Sequence, residues 1–352
     1  MIVLPQKTLP VQEIQNKTAA VLFEDYFAYF SKEHGISVLN HQTKATLFQK
    51  KYHHCYNIFK IQLNETYLIY STRNTITVHR SFPNFDSVLE TIKIPFSKTF
   101  CENYTPYISD ISLNGHFLAF CIDYQYRTEF VIHDLKEQTI FWSFTKIRSK
   151  ELLFERTTLC LQKDSLIFSL GDNECWLYNY QHQKKLKTFH IDQDIVEIFA
   201  NSNFIAVQFE DDSVNVYDKN TFFTKDEPCL SLLNVASFLF FHQDVCCCVK
   251  KAETMVNLYM LSFDEEIQIP KALSIQTKTP QNALFLFGHD DFIGTLSKDK
   301  DDDPYLETFF ILKPKKSLCL LEKMDNQKIL GFYDENIDVK YHIFSFFHNL
   351  NF

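Results

Sequence analysis

The chain has 352 residues, 45% of them hydrophobic, which is enough to bury a large core in one or two domains. Its net charge of -9 and pI near 5.8 argue against nucleic-acid binding, because phosphate recognition requires a basic face. The sequence shows neither a signal-peptide pattern after Met1 nor an apolar segment long enough to cross a bilayer. We therefore expect a cytoplasmic protein without a membrane span.

A pair of strands joined by a polar turn recurs along the chain. An apolar strand and a polar turn precede each copy of a marker strand, whose alternating apolar and polar residues predict one buried face. In chain order the markers are Ile36–Leu39, Ile76–His79, Phe130–His133, Trp176–Asn179, Val214–Tyr217, Val256–Tyr259 and Thr308–Ile311. From the first to the fifth, the marker advances by about 45 residues per step, which is the blade length of a β-propeller.

The repeat predicts one all-β domain over residues 1–352, a single β-propeller of seven or eight four-stranded blades. The count of repeats favours eight, with units that start near Lys17, Tyr56, Tyr107, Leu152, Asp194, Ala236, Asn282 and Lys328. The last unit is too short for four strands, and residues 1–14 are otherwise unassigned. We therefore predict that Ile2-Val3-Leu4 completes a blade built from Lys328–Phe352, so that the N- and C-terminal segments close the ring.

The segment Asn201–Thr221 carries a family resemblance. Tyr217-Asp218 stands where WD40 propellers have their Trp-Asp dipeptide, and His133-Asp134 occupies a second such place. Asp211 or Asp212 lies where that family often has a structural turn aspartate, although the matching histidine is missing. The chain thus resembles a divergent WD40-type propeller, and the resemblance implies a scaffold subunit that binds other proteins.

Candidate chemistry is sparse. Asp299–Asp303 has the alternating carboxylates of a calcium loop, but Pro304 and Phe310 stand where such a loop needs glycine and glutamate. The ten cysteines contain no CxxC pair, so they are predicted to be buried thiols. We predict no catalytic residues, no metal and no cofactor.

Four residues at the end of successive marker strands form the candidate partner-binding rim: His79, His133, Asn179 and Tyr217. Equivalent strand ends lie near one rim of a propeller disc, where binding loops gather. The alternative for these residues is that they cap the strand ends. For the whole chain, the predicted function is a non-catalytic protein-interaction platform of unspecified oligomeric state. The alternative is a propeller enzyme, a glycan-processing hydrolase or lyase with acidic residues at the central pore.

Overall fold

The computed structural model of the protein shows an all-β chain. It describes residues 2–10, 19–31, 35–41, 43–51, 58–80, 85, 88–94, 105–124, 126–148, 157–170, 174–190, 193–219, 227–242, 245–251, 255–261, 272–276, 285–289, 292–298, 304–312, 318–320 and 330–332. The calcium-loop candidate Asp299–Asp303 lies outside these ranges.

Six blades are each built from four consecutive strands in antiparallel order. Blade 1 contains β2 (Ala20–Phe23), β3 (Tyr26–Ser31), β4 (Gly35–Asn40) and β5 (Thr46–Lys50). Blade 2 contains β6 (Lys60–Leu63), β7 (Tyr67–Ser71), β8 (Thr75–Arg80) and β9 (Val88–Lys93). Blade 3 contains β10 (Tyr107–Asn114), β11 (Phe117–Tyr124), β12 (Arg127–Asp134) and β13 (Thr139–Ile147). Blade 4 contains β14 (Thr158–Leu161), β15 (Ser165–Ser169), β16 (Glu174–Asn179) and β17 (Lys184–His190). Blade 5 contains β18 (Ile195–Ala200), β19 (Phe204–Phe209), β20 (Val214–Asp218) and β21 (Leu230–Leu232). Blade 6 contains β22 (Val235–His242), β23 (Val245–Lys250), β24 (Met255–Met260) and β25 (Ala272–Gln276).

A further four-stranded sheet combines strands from distant parts of the sequence. In it β1 (Ile2–Pro10) pairs with β28 (Pro304–Leu312), which pairs in turn with β27 (Phe292–Lys298) and β26 (Phe285–His289). The register sets Ile2 opposite Leu312 and Leu4 opposite Phe310. The innermost strand of this sheet, β26, contacts the first strand of blade 6 (β22) and the first strand of blade 1 (β2). The first strands of successive sheets thus follow one another around a central axis, as in a β-propeller.

All seven marker strands lie within the third strand of a four-stranded sheet, as predicted. The sequence predicted seven or eight blades, whereas the described residues form six blades of four consecutive strands and the one further sheet that includes β1, so the count of eight is wrong. After β28, the described residues add only β29 (Leu318–Leu320) and β30 (Leu330–Phe332), which pair with each other in a two-stranded sheet. The predicted blade of Ile2-Val3-Leu4 is corrected too, because nine-residue β1 pairs along nine-residue β28 as the fourth strand of that sheet. Of the predicted partner Lys328–Phe352, only Leu330–Phe332 lies in the described ranges.

Residues 201–219 of the segment Asn201–Thr221 fold as the hairpin that its alternation predicts; the last two lie outside the described ranges. β19 is buried along its whole length, while β20 alternates between buried and half-buried residues. The connecting turn places Asp212 at φ 62°, a left-handed conformation that aspartate tolerates better than most residues. Asp211 accepts hydrogen bonds from the Ser213 N–H (2.9 Å) and hydroxyl (2.6 Å). Asp211 is therefore a turn-forming residue, at the place where the resemblance implied a structural aspartate.

Side-chain caps of this kind replace glycine at several other turns. The Asn64 carboxamide oxygen accepts from the Thr66 and Tyr67 N–H groups at 2.9 and 2.8 Å. Asp134 accepts from Lys136 and Glu137 at 2.9 and 3.1 Å. Local bonds of Asn and Asp to the backbone stabilise tight turns, which explains how a chain with 6 glycines closes its hairpins.

The hydrophobic core lies between neighbouring blades. Each core cluster joins residues of adjacent sheets, so the stacking of blades buries apolar surface that one sheet alone would leave exposed. Between blades 3 and 4 the packing is strongly aromatic: the rings of Phe130 and Phe168 lie 4.0 Å apart, and those of Trp142 and Tyr178 4.9 Å. This packing fixes the angle between blade 4 and blade 3, which carries most of the candidate site.

Candidate functional site

Aromatic and basic side chains collect on one face of the propeller at blades 2 and 3. On this face, here called the entry face, the first and third strands of each blade begin and the second and fourth end. Arg73 lies in the turn between β7 and β8, Tyr107 begins β10, Tyr124 ends β11 and Arg127 begins β12, with Tyr126 in the turn before it. We call these five residues the tyrosine–arginine cluster.

Two cation–aromatic pairs organise the tyrosine–arginine cluster. The guanidinium carbon of Arg127 lies 4.5 Å from the centre of the Tyr124 ring, and that of Arg73 lies 5.4 Å from the centre of the Tyr107 ring. Such contacts are favourable because a cation is attracted to the face of an aromatic ring. The Ile108 N–H also donates to the Arg73 carbonyl (2.9 Å), so the blade 2 turn is fastened to the first strand of blade 3.

Exposure differs within the cluster. Arg73 and Arg127 are exposed, Tyr126 is 46% exposed, and Tyr107 and Tyr124 are half-buried. Burial raises the pKa of Tyr124, and the carboxylate of Glu129, which accepts a 3.3 Å hydrogen bond from the Tyr124 hydroxyl, raises it further. The cluster therefore presents aromatic rings and the permanent positive charge of two arginines on this face.

A buried ion pair lies directly beneath the cluster. The Arg148 guanidinium donates to Asp123 (Nη2–Oδ1, 2.8 Å) and to the Thr128 hydroxyl (Nε–Oγ1, 2.7 Å), and both charged side chains are almost completely buried. The hydroxyls of Thr128 and Thr157 donate to the Asp123 carboxylate at 2.7 and 2.9 Å. The Arg148 guanidinium also contacts the Thr157 hydroxyl. These contacts satisfy both buried charges, which is the condition under which a buried ion pair is tolerated.

The ion pair is connected to the cluster through the backbone. Asp123 and Thr128 are next to Tyr124 and Arg127 in the sequence, and the Arg148 N–H donates to the Tyr126 carbonyl at 2.9 Å. The turn that carries Tyr126 is thus held between the ends of β11, β12 and β13. A surface fixed in this way loses little conformational entropy when a partner binds.

The four predicted rim residues all lie on the opposite face, at or next to the end of the third strand of blades 2 to 5. His79 is buried, with its ring nitrogens 2.7 Å from the Phe85 carbonyl oxygen and 3.2 Å from the Tyr70 hydroxyl. The Nε2 of His133, also buried, lies 2.9 Å from Glu90 of blade 2.

The other two predicted residues have local roles as well. Tyr217 is 5% exposed and belongs to the core between blades 4 and 5. Asn179 is half-buried and caps its turn by accepting from the His182 N–H at 2.9 Å. These contacts favour the strand-end alternative for the four residues, and their role in partner binding stays a prediction.

The carboxylate of Asp110, on an innermost strand, forms hydrogen bonds with residues of both neighbouring blades. Asp110 on β10 accepts from Lys60 Nζ of blade 2 at 2.7 Å and from the Leu159 N–H of blade 4 at 2.9 Å. Burial alone would lower the pKa of Lys60, but Asp110 and Glu197 outweigh it and raise that pKa. Asp110 therefore connects three blades at the centre of the molecule.

Within the described ranges, no three histidine, cysteine, aspartate or glutamate side chains are arranged to hold a metal ion. The same part of the chain contains no helix long and apolar enough to cross a bilayer.

Comparison with solved structures gives the class of the fold. A chain in a crystal structure of the mitotic checkpoint complex matches with a TM-score of 0.62 and 11% identity over 88% of this chain and 92% of that one. U3-55K matches with a TM-score of 0.63 and 12% identity over 88% and 100%. Raptor from Chaetomium thermophilum matches with a TM-score of 0.58 and 12% identity over 90% of this chain but only 29% of Raptor.

These matches define the fold as a β-propeller, which is the fold that the resemblance to WD40 propellers predicted. No protein-family model and no curated protein matches the sequence.

Proposed function

We propose that this chain is a non-catalytic protein-interaction platform and a scaffold subunit of a larger complex, with a binding surface that includes the tyrosine–arginine cluster. The observation that carries the proposal is the arrangement of Tyr126 and Arg127, exposed on the entry face above the buried pair of Asp123 and Arg148. The structural neighbours support it in general terms, because one of them belongs by its description to a complex.

The residue types of the cluster are those that contribute most to binding energy in protein interfaces. Tyrosine and arginine are enriched among interface residues whose truncation costs more than about 2 kcal/mol. Their rings and guanidinium groups offer large contact areas, and Arg73 and Arg127 are already oriented by Tyr107 and Tyr124. The cluster thus combines exposed contact groups with a rigid support.

The contacts of Asp110 support a non-catalytic role over the glycan-processing alternative. A pore carboxylate that acts as acid or base must reach its substrate within hydrogen-bond distance. Both Asp110 oxygens already accept hydrogen bonds, Oδ1 from Lys60 and the Ile111 N–H, and Oδ2 from the Leu159 N–H. A substrate would have to break contacts between blades to use it.

The proposal is tested by comparing the proteins recovered with the parent chain and with variants, by quantitative proximity labelling in cells. We expect Tyr126→Ala combined with Arg127→Ala to reduce the stoichiometric partners at least about tenfold, which corresponds to about 1.4 kcal/mol. The matched control combines Leu47→Ala and Lys136→Ala, which are similarly exposed but lie away from the cluster. If the cluster variant retains the same partners at the same level as the control, the cluster is not the binding surface.

A further inference from the structure

The outer strand of blade 3 differs from those of its neighbours. β13 is nine residues long, against six for β9 and seven for β17. Three large apolar side chains on it are exposed: Ile140 (65%), Phe141 (44%) and Ile147 (79%). In the part of the chain that the structure describes, β12 is the only strand paired with β13. One edge of β13 therefore presents backbone N–H and C=O groups without a strand partner.

The outer strands of the two neighbouring blades carry the charges that normally block such pairing, whereas the uncharged outer strands of blades 5 and 6 are short, with three residues in β21 and five in β25. β17 has three lysines in seven residues, at positions 184, 185 and 187, and β9 carries Glu90 and Lys93. Charged side chains on an edge strand, lysine above all, prevent another strand from adding to the sheet. The only charged residue of β13 is Lys146, and it is engaged with the Glu174 carboxylate at 2.9 Å. The edge of β13 thus lacks the free charged side chains that usually prevent another strand from pairing with it.

The surroundings of β13 are basic, although the whole protein is acidic. The ammonium groups of Lys146 and Lys185 lie 3.9 and 3.6 Å from the centre of the same ring, that of Trp176. Lys184 and Lys187 lie on the same strand as Lys185. The carboxylate in contact with Lys146 is that of Glu174. A chain with a net charge of -9 therefore has a local excess of positive charge beside its unprotected edge.

We propose that the free edge of β13 accepts an extended segment of a partner protein in which apolar and acidic residues alternate. Backbone hydrogen bonds to β13 would supply affinity, and alternate side chains would supply specificity, as in other cases of strand addition. The apolar residues of the segment would pack on Ile140 and Phe141, and its carboxylates would face Lys146 and Lys185. This inference rests on the proposed function only in assuming a protein partner. It uses the outer edge of β13, which meets the tyrosine–arginine cluster only at its Ile147 end, opposite Arg127.

The test uses fluorescence anisotropy with labelled nine-residue peptides. The first probe alternates valine with glutamate, the second replaces each glutamate by lysine, and the third is the glutamate peptide with its alternate backbone nitrogens methylated. We expect the parent protein to bind the glutamate peptide at least about tenfold more tightly than either of the other two. Hydrogen exchange should show new protection confined to β13.

Two matched pairs of variants localise the site. Ile140→Lys with Ile147→Lys places edge lysines on β13 and should abolish binding, while Leu233→Lys, at a residue 66% exposed on a different turn, should leave it unchanged. Lys185→Glu should favour the lysine peptide, while Lys51→Glu, at an exposed position just after β5 in blade 1, should not.

Three results would overturn the inference: no binding of the glutamate peptide, equal binding of both charged peptides, or binding that survives lysines at 140 and 147. A parent protein that sediments as a dimer, and becomes monomeric with those two lysines, would also overturn it, because the occupant would be a second copy of the chain. The two proposals can fail separately. If the peptides do not bind but changing Tyr126 and Arg127 still removes partners, the strand-addition proposal is wrong and the platform proposal stands.

Discussion

The joint between blades 3 and 4 and the joint between blades 5 and 6 are held together by different interactions. The first contains a group of packed aromatic rings and the buried pair of Asp123 and Arg148 of blade 3, which contacts Thr157 at the start of blade 4. The second is apolar throughout its core cluster, with Phe204, Phe238, Cys246 and Cys248 among its buried residues. Both bury a continuous surface between sheets, but among the described residues only the first contains a buried ion pair. The polar side-chain contacts across the second include the hydrogen bond from Gln208 to the Val235 carbonyl (3.4 Å) and the more exposed pair of Asp212 and Lys251.

The two joints show that the same stacking of blades can be stabilised either by apolar packing alone or with the addition of a buried ion pair. Apolar packing is not directional and tolerates substitutions that conserve volume. A buried ion pair adds little net stability but is strongly destabilising when one partner is removed. The polar joint lies beneath the tyrosine–arginine cluster, where the position of a turn must be fixed. The apolar joint requires only that the blades remain together.

The largest effect is expected for Arg148→Met. The change leaves the Asp123 carboxylate buried without its cation, so the free energy of unfolding should fall by about 3–5 kcal/mol. Urea denaturation measures the loss. In the double variant Asp123→Leu/Arg148→Met, where both charges are absent, stability should return to within about 1 kcal/mol of the parent. Equal losses in the single and double variants would mean that the site depends on shape and not on charge.

A smaller effect is expected in the apolar joint. Cys248→Ala removes a buried sulfur from the cluster that contains Phe204 and Phe238, and the free energy of unfolding should fall by about 1 kcal/mol. Cys247 lies on the opposite face of β23, and burial raises its pKa well above the usual thiol range. In the native protein it should therefore resist alkylation at neutral pH. Rapid modification of Cys247 without unfolding would contradict the packing.

The smallest effect concerns Glu174, at the outer part of the polar joint. Partial burial acts to raise its pKa, but hydrogen bonds from Lys146 and Trp176 outweigh this and lower it. A lowered carboxyl pKa stabilises the fold above the ordinary glutamate pKa, and this contribution is lost as the pH falls through the folded-state value. Glu174→Gln should therefore cost less than about 1 kcal/mol at pH 7. The difference from the parent should shrink in acid, and a difference that grows in acid would contradict the assignment.

The sequence predicted the repeated strands because their pattern is local. Alternation within Val214–Tyr217, for example, needs no knowledge of the rest of the chain, and the structure has β20 there. The predicted number of blades was wrong because the count included the short segment after Lys328 as a blade. The pairing of β1 with β28 joins residues about 300 positions apart, and two apolar segments of similar length were available as partners.

The candidate site was harder to predict than the fold. His79, His133 and Tyr217 were correctly placed at strand ends, but a strand end does not reveal whether a side chain turns inwards, and all three are buried. Asp123 and Arg148 are 25 positions apart, and they meet because β12 and β13 return the chain to the same face. A buried charge pair of this kind has no signature in a single sequence, although the run Tyr124–Arg127 already carried the aromatic and basic residues of the cluster.

The central claim, that the buried ion pair holds the binding turn in place, is tested most directly by hydrogen exchange on the double variant Asp123→Leu/Arg148→Met. This variant removes the side-chain contacts of the ion pair without leaving a charge unpaired, and it keeps the bond from the residue 148 N–H to the Tyr126 carbonyl. We expect the amides of residues 124–128 and 147–148 to exchange at least about tenfold faster than in the parent. This corresponds to a loss of about 1.4 kcal/mol in the free energy of local opening. Amides of β23 and β24 should be unaffected. Unchanged exchange around Tyr126 would contradict the account, because the turn would then be held without the ion pair.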